Sequence, residues 1–440
     1  MDYKKIGDIL TKSQYGFSIA MNEEGIGYPI YRMNEIHNLL CDLEVDKYAD
    51  ITLKNVKKFI LKDGDVLFNR TNSFEWVGRT GIYYKNELDD RDYVFASYLV
   101  RFNTDESMIL PEYLNVFLNC KYGVLDIKRR ARQSINQTNV NPEEVKEMQI
   151  PILSMKLQNM LKDFLISANN KEKKSKSLYY SAENLLVSEL GLENFNSSSE
   201  KVSIRTLKES FLRTGRIDSE YYQPKYDDYL KKIFSYSNGY ELLGECCNIK
   251  DKNYMPKDDE EYRYIELANV RNNAQISDCD VLIGKELPTR ARRKVNTGDV
   301  IVSSIEGSLE SCALITEEYN DSLCSTGFYV INSDKLNSES LLTVFKSSLM
   351  LNLMKKGCSG TILTNISKEE FTKLPIPLLK QDVQDEIASY IKQSMEYSKK
   401  AKDLLNISTE AVEIAIDKDE ETAQNFLDRQ TDRQTDRQTD

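Results

Sequence analysis

Apolar positions recur along this chain in two periods, and both periods appear twice in the same order. Short runs rich in β-branched and aromatic residues predict strands: Val66-Leu67-Phe68, Gly81 to Tyr84 and Tyr98 to Phe102 in the first half, Val300-Ile301-Val302 and Phe328 to Ile331 in the second. The first run of each half follows a Gly-Asp turn, Gly64-Asp65 or Gly298-Asp299. Helical spacing then takes over at Pro111 to Leu118 and at Ser340 to Lys346. Each half ends in a long stretch with seam positions spaced four and three apart. In the first it runs Leu157, Leu161, Phe164, Ala168, Lys171, Ser175, Leu178, Ala182, Leu185. In the second it runs Val383, Ile387, Tyr390, Ser394, Tyr397, Ala401, Leu404, Ser408, Ala411. This is a heptad seam, weakened by its Lys and Ser members, so two such helices are expected to cover each other. Gly191 is a helix stop, and the polar run from Asn194 to Lys201 places the main boundary of the chain there.

The order of motifs is that of a duplication. Tyr31 to Ile36 returns as Ile265 to Val270, an offset of 234, and Gly64-Asp65-Val66 returns as Gly298-Asp299-Val300 at the same offset. Ile6-Gly7-Asp8 has its counterpart in Leu243-Gly244-Glu245. Thr138 to Glu144 returns as Thr364 to Glu370, and Ile150-Pro151-Ile152-Leu153 as Ile376-Pro377-Leu378-Leu379, both offset by 226. Loop insertions between two copies of one domain produce such small changes of offset. Each copy reads as an α+β domain of mixed strands and short helices.

Composition narrows the chemistry. His37 is the one histidine, which excludes multi-histidine metal sites, and its neighbours read as structural or surface. Phosphate-loop and dinucleotide fingerprints are absent, as is a Cys-x-x-Cys pair among the eight cysteines. The cysteine pattern and the lack of an apolar leader near Met1 point to the cytoplasm, and no apolar run approaches the ~20 residues of a membrane span. No metal site and no catalytic residues are predicted.

A net charge of −11 does not favour nucleic acid, but two local clusters do. Lys121, Lys128, Arg129, Arg130 and Arg132 stand against Asp126, and Lys285, Arg290, Arg292, Arg293 and Lys294 against Glu286. Beside them lie loops of side chains suited to base edges and phosphates. These are Arg70, Thr71, Asn72 and Ser73 with Asn69 in one loop, Gln133, Ser134, Asn136 and Gln137 in another, and Ser303, Ser304 and Glu306 in the second half.

The chain resembles the specificity subunit of Type I restriction–modification systems. The motifs that carry the resemblance are Gly64 to Ser73 with Val77-Gly78-Arg79-Thr80, Arg216-Ile-Asp-Ser-Glu-Tyr-Tyr-Gln-Pro-Lys-Tyr226, Arg290 to Val300, and Ile305-Glu-Gly-Ser-Leu309. Pro151 with Gln158 and Pro377 with Gln384 are also typical. The resemblance implies two tandem, homologous target-recognition domains, 1–153 and 206–379, each reading half of a bipartite DNA site. Each is followed by a long helix, a central spacer at 154–192 and a distal one at 380–418, which would pair as an antiparallel coiled coil. The pairing residues would be Leu157, Leu161, Phe164, Leu178, Leu185, Val383, Ile387, Tyr390, Tyr397 and Leu404. A linker, 193–205, and a disordered tail, 419–440, complete the division. A helix of about 36 residues spans about 54 Å, roughly sixteen base pairs of duplex. The DNA-binding set is Arg70, Thr71, Asn72, Ser73, Arg79, Lys128, Arg129, Arg130, Arg132, Gln133, Arg290, Arg292, Arg293, Lys294, Ser303 and Ser304. Methylation subunits would bind around the helices and bring S-adenosylmethionine. Restriction subunits would bring ATP-driven, magnesium-dependent cleavage, so the chain itself needs no cofactor and directs chemistry without performing it. The rivals are a stand-alone DNA-binding regulator or anti-restriction protein, a coiled-coil scaffold, and a nuclease with an unrecognised acidic site.

From Asp428 the chain repeats Asp-Arg-Gln-Thr three times and ends on Asp440. With no apolar member the repeat is expected to be disordered. Four-base units read in three-base codons return to frame every four residues, and GACA repeated encodes this unit. The expectation is a slippable GACA tract and a phase-variable C-terminus. Sequencing the locus across sibling clones should show varying copy number, whereas mixed synonymous codons and a fixed count would exclude slippage.

Overall fold

The computed structural model describes residues 1–440 apart from 38, 87, 88, 136, 201, 271–273, 278, 361–363 and 440, and apart from the side chains of 53 and 433–439. The chain divides into two compact units, Met1–Lys174 with Tyr397–Asp440, and Ser175–Glu396. The division falls inside both long helices, so the polar stretch 193–205 is an internal part of the second unit and not the main boundary.

In the first unit a six-stranded sheet has the order Leu10–Tyr15, Leu99–Thr104, Val66–Asn69, Thr80–Ile82, Leu39–Cys41, Ile36–His37. Its central strand alternates faces as a pleat requires. Val66 and Phe68 enter the core shared with the helix Pro111–Asn119, while Leu67 enters a second core of Tyr31, Tyr83, Tyr93, Phe95 and Leu99. A four-stranded sheet, Val94–Phe95, Tyr28–Tyr31, Tyr48–Ala49, Met21–Asn22, lies beyond that second core.

The second unit repeats this plan with fewer strands. Its main sheet runs Asn248–Ile249, Phe328–Asn332, Val300–Ser303, Cys312–Leu314. Val300 and Val302 face the core of the helix Ser338–Lys346, and Ile301 faces a core with Ile265, Ala313 and Val330. The outer sheet is Asp280–Ile283, Glu261–Ile265, Leu323–Ser325, Ala291–Lys294. Each unit also has a two-stranded antiparallel sheet leading into a long helix: Asp2–Lys5 with Gln149–Ile152, and Tyr240–Leu242 with Pro375–Pro377.

The long helices run Met155–Glu189 and Gln381–Asp417. One buried amide fastens the start of each. Gln158 accepts from Leu110 N at 2.8 Å and donates to Met108 O at 3.1 Å and Leu153 O at 2.8 Å. Gln384 repeats the pattern with Asn337 N at 2.8 Å, Lys335 O at 3.1 Å and Leu379 O at 2.9 Å.

Within the first unit, Leu157, Leu161, Phe164 and Ala168 share a core with Ala401, Leu404, Leu405 and Ala411, and Ser398 Oγ donates to Glu172 Oε1 at 3.1 Å. Within the second, Tyr179, Ala182 and Leu186 share a core with Val383, Ile387 and Ile391, and Ser394 Oγ donates to Ser175 O at 2.8 Å. Leu178 is buried as well. The packed face departs from the strict seam at three of the expected pairing residues. Leu185, Tyr390 and Tyr397 are half-buried, and their neighbours Leu186, Ile391 and Ser398 are buried instead. A helix of 3.6 residues per turn drifts against a 3.5 repeat, which moves the contact stripe by one residue.

The tail also differs from its expected disorder, because Glu420–Thr439 is helical. Asp419 caps it by accepting from Thr422 N at 2.7 Å, and Glu420 accepts from Ser154 N at 2.9 Å. Ala423 and Leu427 are fully buried in the core of the first unit. This spacing anchors a helix that the following Arg and Gln, good helix formers, extend. His37 Nε2 lies 3.5 Å from Asp42 Oδ2, a local pairing.

Replacing Gln158 by Ala strands one backbone donor and two carbonyls in a dry core. A loss of about 2–4 kcal/mol in unfolding free energy is expected, and Gln384→Ala should cost a similar amount. Thermal or denaturant unfolding of each variant checks this, with smaller losses expected for Glu replacements at the exposed neighbours Asn159 and Asp385.

Candidate nucleic-acid interface

Two polar segments far apart in sequence meet on the first unit. The strand Val66–Asn69 passes into Thr71–Asn72, which pairs with Thr138–Asn139, which pairs in turn with Arg132–Gln133. The result is one three-stranded patch, tied back by Val140 N donating to Arg70 O at 2.9 Å. The helix Lys121–Arg130 leads into it and brings three cations in its last turn, Lys128, Arg129 and Arg130. The loop 73–79 rests on that helix. Gly78, at φ +90°, is packed so closely that a Cβ there would lie 2.3 Å from Ile127 Cγ2.

The side chains differ in what they can still reach. Ser73, Arg129, Arg132 and Gln133 are exposed, and Asn72 is half-buried. Arg70 lies over the Tyr15 ring at 5.3 Å and donates from Nε to Ser97 O at 3.3 Å. Arg79 stacks on Trp76 at 3.3 Å. Arg130 and Arg132 pair with Asp126 and Glu144. Two expected ligands have other work. Thr71 is 2% exposed and donates to Asn139 Oδ1 at 2.6 Å, so its hydroxyl joins two strands. Lys128 donates to the carbonyls of Phe74, Glu75 and Val77, and burial holds its ammonium below the usual lysine pKa. It fastens the loop and does not face outward. Asn136 lies outside the described residues.

The second unit has the corresponding patch. Cys358–Ser359 pairs with Asn365–Ile366, and Asn365 bridges to Ile305 after the strand Val300–Ser303. Ser303 and Ser304, expected to face a ligand, are buried. Ser303 Oγ lies 3.0 Å from Ser308 Oγ, and Ser304 Oγ donates to Gly327 O at 2.9 Å. Their hydroxyls add to the backbone bonds that Ser303 N and Ser304 N make to Ser311 O and Gly327 O, and so are used inside the protein. The basic run forms the strand Ala291–Lys294. Arg290 is exposed, and its carbonyl accepts from Thr326 N at 2.8 Å next to the Ser304 contact, so the run adjoins the patch. Arg292 is half-buried. Arg293 donates to Asp251 O and to Asn253 Oδ1 at 2.6 Å, and Lys294 pairs with Asp321 at 3.0 Å.

Lys355 and Lys356 were not singled out from the sequence. They occupy the last turn of Ser348–Gly357, the counterpart of Lys121–Arg130. The offset of 226 places them opposite Arg129 and Arg130, so the repeat frame itself held the signal. Lys355 is exposed, while burial lowers the pKa of Lys356, which lies 4.8 Å over the Tyr221 ring. Arg216 stacks on the same ring at 4.4 Å and donates to Cys358 O at 2.8 Å. The motif from Arg216 to Tyr226 is therefore tied to the patch through Arg216.

Among the described residues no group of acids, cysteines and histidine is arranged to hold a metal, and no helix is long and apolar enough to cross a membrane. A Gly78→Ala change forces a methyl group against Ile127 at a left-handed φ. It should cost about 2–4 kcal/mol from overpacking and strain together, read as a lowered melting temperature. Gly307→Ala, with open space around it, should melt close to the parent.

Residues 240–406 match the family model described as the Type I restriction modification DNA specificity domain. The "Putative type I restriction enzyme MjaX specificity subunit" of Methanocaldococcus jannaschii is 27% identical over 170 residues, 38% of this chain and 39% of that protein. The Type I restriction enzyme EcoKI specificity subunit of Escherichia coli K12 is 26% identical over 159 residues, 36% of this chain and 34% of that protein. The matched stretch thus spans well under half of either curated relative. A solved Type-I restriction-modification system S subunit from M. genitalium aligns over 93% of this chain and 94% of its own, at 13% identity and a TM-score of 0.40, too loose a likeness to carry any inference. Residues 240–406 are thus similar to the Type I restriction modification DNA specificity domain, the family whose motifs the sequence resembles.

Proposed function

We propose that the chain is the DNA-recognising specificity subunit of a Type I restriction–modification complex. In this reading each unit recognises one half of a bipartite site through its patch. The long helices, paired antiparallel as a coiled coil, set the spacing and dock methylation subunits. The carrying observation is repetition: the architecture of the matched domain recurs in the first unit, down to the Gln158 and Gln384 networks. The contacts of Glu172 with Ser398 and of Ser154 with Glu420 support opposite helix directions in the first unit. Those of Ser175 with Ser394 and of Glu189 with Lys380 do so in the second.

Catalysis belongs to the partners in this reading. Methylation subunits bring S-adenosylmethionine, restriction subunits bring ATP and magnesium chemistry, and this chain supplies address and spacing in the cytoplasm. Exposed Arg129 and Arg132 in the first unit, and Arg290 and Lys355 in the second, are the cations best placed for phosphates.

Mapping methylated adenines genome-wide, with the chain present and deleted and the methylation subunit expressed in both, tests the proposal. A bipartite motif should vanish on deletion, and exchanging residues 1–153 should change one half of it. An unchanged map would favour a regulator or scaffold. In vitro, Arg129→Ala should weaken binding to all sequences alike and lower the salt dependence by about one unit of slope.

A further inference from the structure

The ribbon that closes the first unit's patch has an unusual tip. Arg132–Gln133 and Thr138–Asn139 are antiparallel, and the turn between them is fastened twice. Ser134 donates to Gln137 O from its backbone N at 2.8 Å and from Oγ at 2.8 Å. At the turn, Ile135 is 100% exposed. A single exposed apolar residue is ordinary by itself. What marks this one is its setting: exposed Gln133 and Gln137 flank it in the ribbon, and exposed Arg129 and Arg132 stand on the helix and strand that lead into it. The ribbon is held on the patch by the Thr71–Asn139 bond, so the tip is presented on a fixed support. The second half has an isoleucine, Ile362, between the paired Ser359 and Asn365, although Ile362 lies outside the described residues.

The major groove of duplex DNA admits a two-stranded ribbon. There an amide side chain meets adenine N6 and N7, cations meet the flanking phosphates, and the one apolar group on a base edge is the thymine 5-methyl. We infer that Ile135 is a specificity-determining residue that packs on a thymine 5-methyl group in the major groove, making this ribbon a reader of A·T pairs. The inference rests on the reading of the first unit as a DNA-recognition module. It requires no covalent step and no rearrangement of the core, because Ile135 is outside every core of the unit.

The test uses the complex assembled with its methylation subunits and duplexes carrying the mapped target. Each thymine of the first unit's half-site is replaced in turn by deoxyuridine, which removes only the 5-methyl group. One such replacement should weaken binding by the parent about fourfold, the effect of withdrawing one buried methyl from contact. Ile135→Ala should weaken binding to the native duplex and become indifferent to that same replacement, with an unchanged melting temperature. The inference is overturned if the deoxyuridine penalty is equal in parent and variant, or if the half-site contains no thymine. It is also overturned if binding unstacks a 2-aminopurine reporter through Ile135 with no deoxyuridine effect, the behaviour of a side chain wedged between base steps. If the parent complex does not prefer the target to a scrambled duplex, the recognition reading itself fails, and this inference fails with it.

Discussion

A carboxylate withdrawn from water must be answered by a cation or by several donors, and in each unit one such group stands at the turn that opens the central strand. Asp65 and Asp299 are each 2% exposed. Asp65 accepts from Lys62 N at 2.9 Å and Arg101 Nη1 at 2.9 Å, with Asn103 on its other oxygen. Asp299 accepts from Asn296 N at 2.8 Å, Lys250 Nζ at 2.7 Å and Asn332 Nδ2 at 2.9 Å. The preceding glycines adopt φ of +82° and +87°, which turns the chain back so that its own amide reaches the carboxylate. Asn103 and Asn332 hold the same place on the neighbouring strand. The cation does not: it comes from that strand as Arg101, and from the end of the next strand outward, just after Asn248–Ile249, as Lys250. What persists between the copies is the need to compensate a buried charge, and removing one partner from such a pair costs about 3–5 kcal/mol.

That fixed turn decides where the patch-forming loops begin. The strand it opens delivers 69–79 in one unit and 303–309 in the other to the same side of their sheets. Each loop is then stitched to a second segment some seventy or sixty residues later. The stitching uses side chains that also suit DNA contacts. Thr71, Lys128, Ser303 and Ser304 close bonds inside the protein, which leaves the outward face to Asn72, Arg129, Arg132 and Gln133 and to Arg290 and Lys355. A surface so supported can vary its outward residues while its inner hydroxyls and lysine keep the loop in place.

Much of the fold was legible because it is written in periods and repeats. The Gly-Asp turns, the strands that follow them and the two long helices each occupy the stretches their patterns indicate. The seam was legible to within one residue, and the slip at Leu185, Tyr390 and Tyr397 reflects the helical pitch and not a false pattern. The helix of the tail is not legible in the repeat alone. Ala423 and Leu427 precede it and carry the anchoring contacts, and two residues four apart are too few to register as a pattern. The candidate interface was legible as chemistry but not as geometry, since a threonine or lysine that binds phosphate and one that ties down a loop look alike in sequence.

The sequence by itself determined the mixed α and β character of the chain, its two long helical stretches and the likeness of residues 240–406 to the specificity domain. These depend on order and spacing, which survive without coordinates. Only the tertiary structure decided that the compact units divide within the helices, and that residues 71–72 and 132–139 form one patch. It also decided which polar groups face outward and that the ribbon's tip is an isoleucine open to solvent. The physical reason is that burial and partnership are properties of the packed chain: whether a side chain is satisfied from within is settled by segments far from it in sequence.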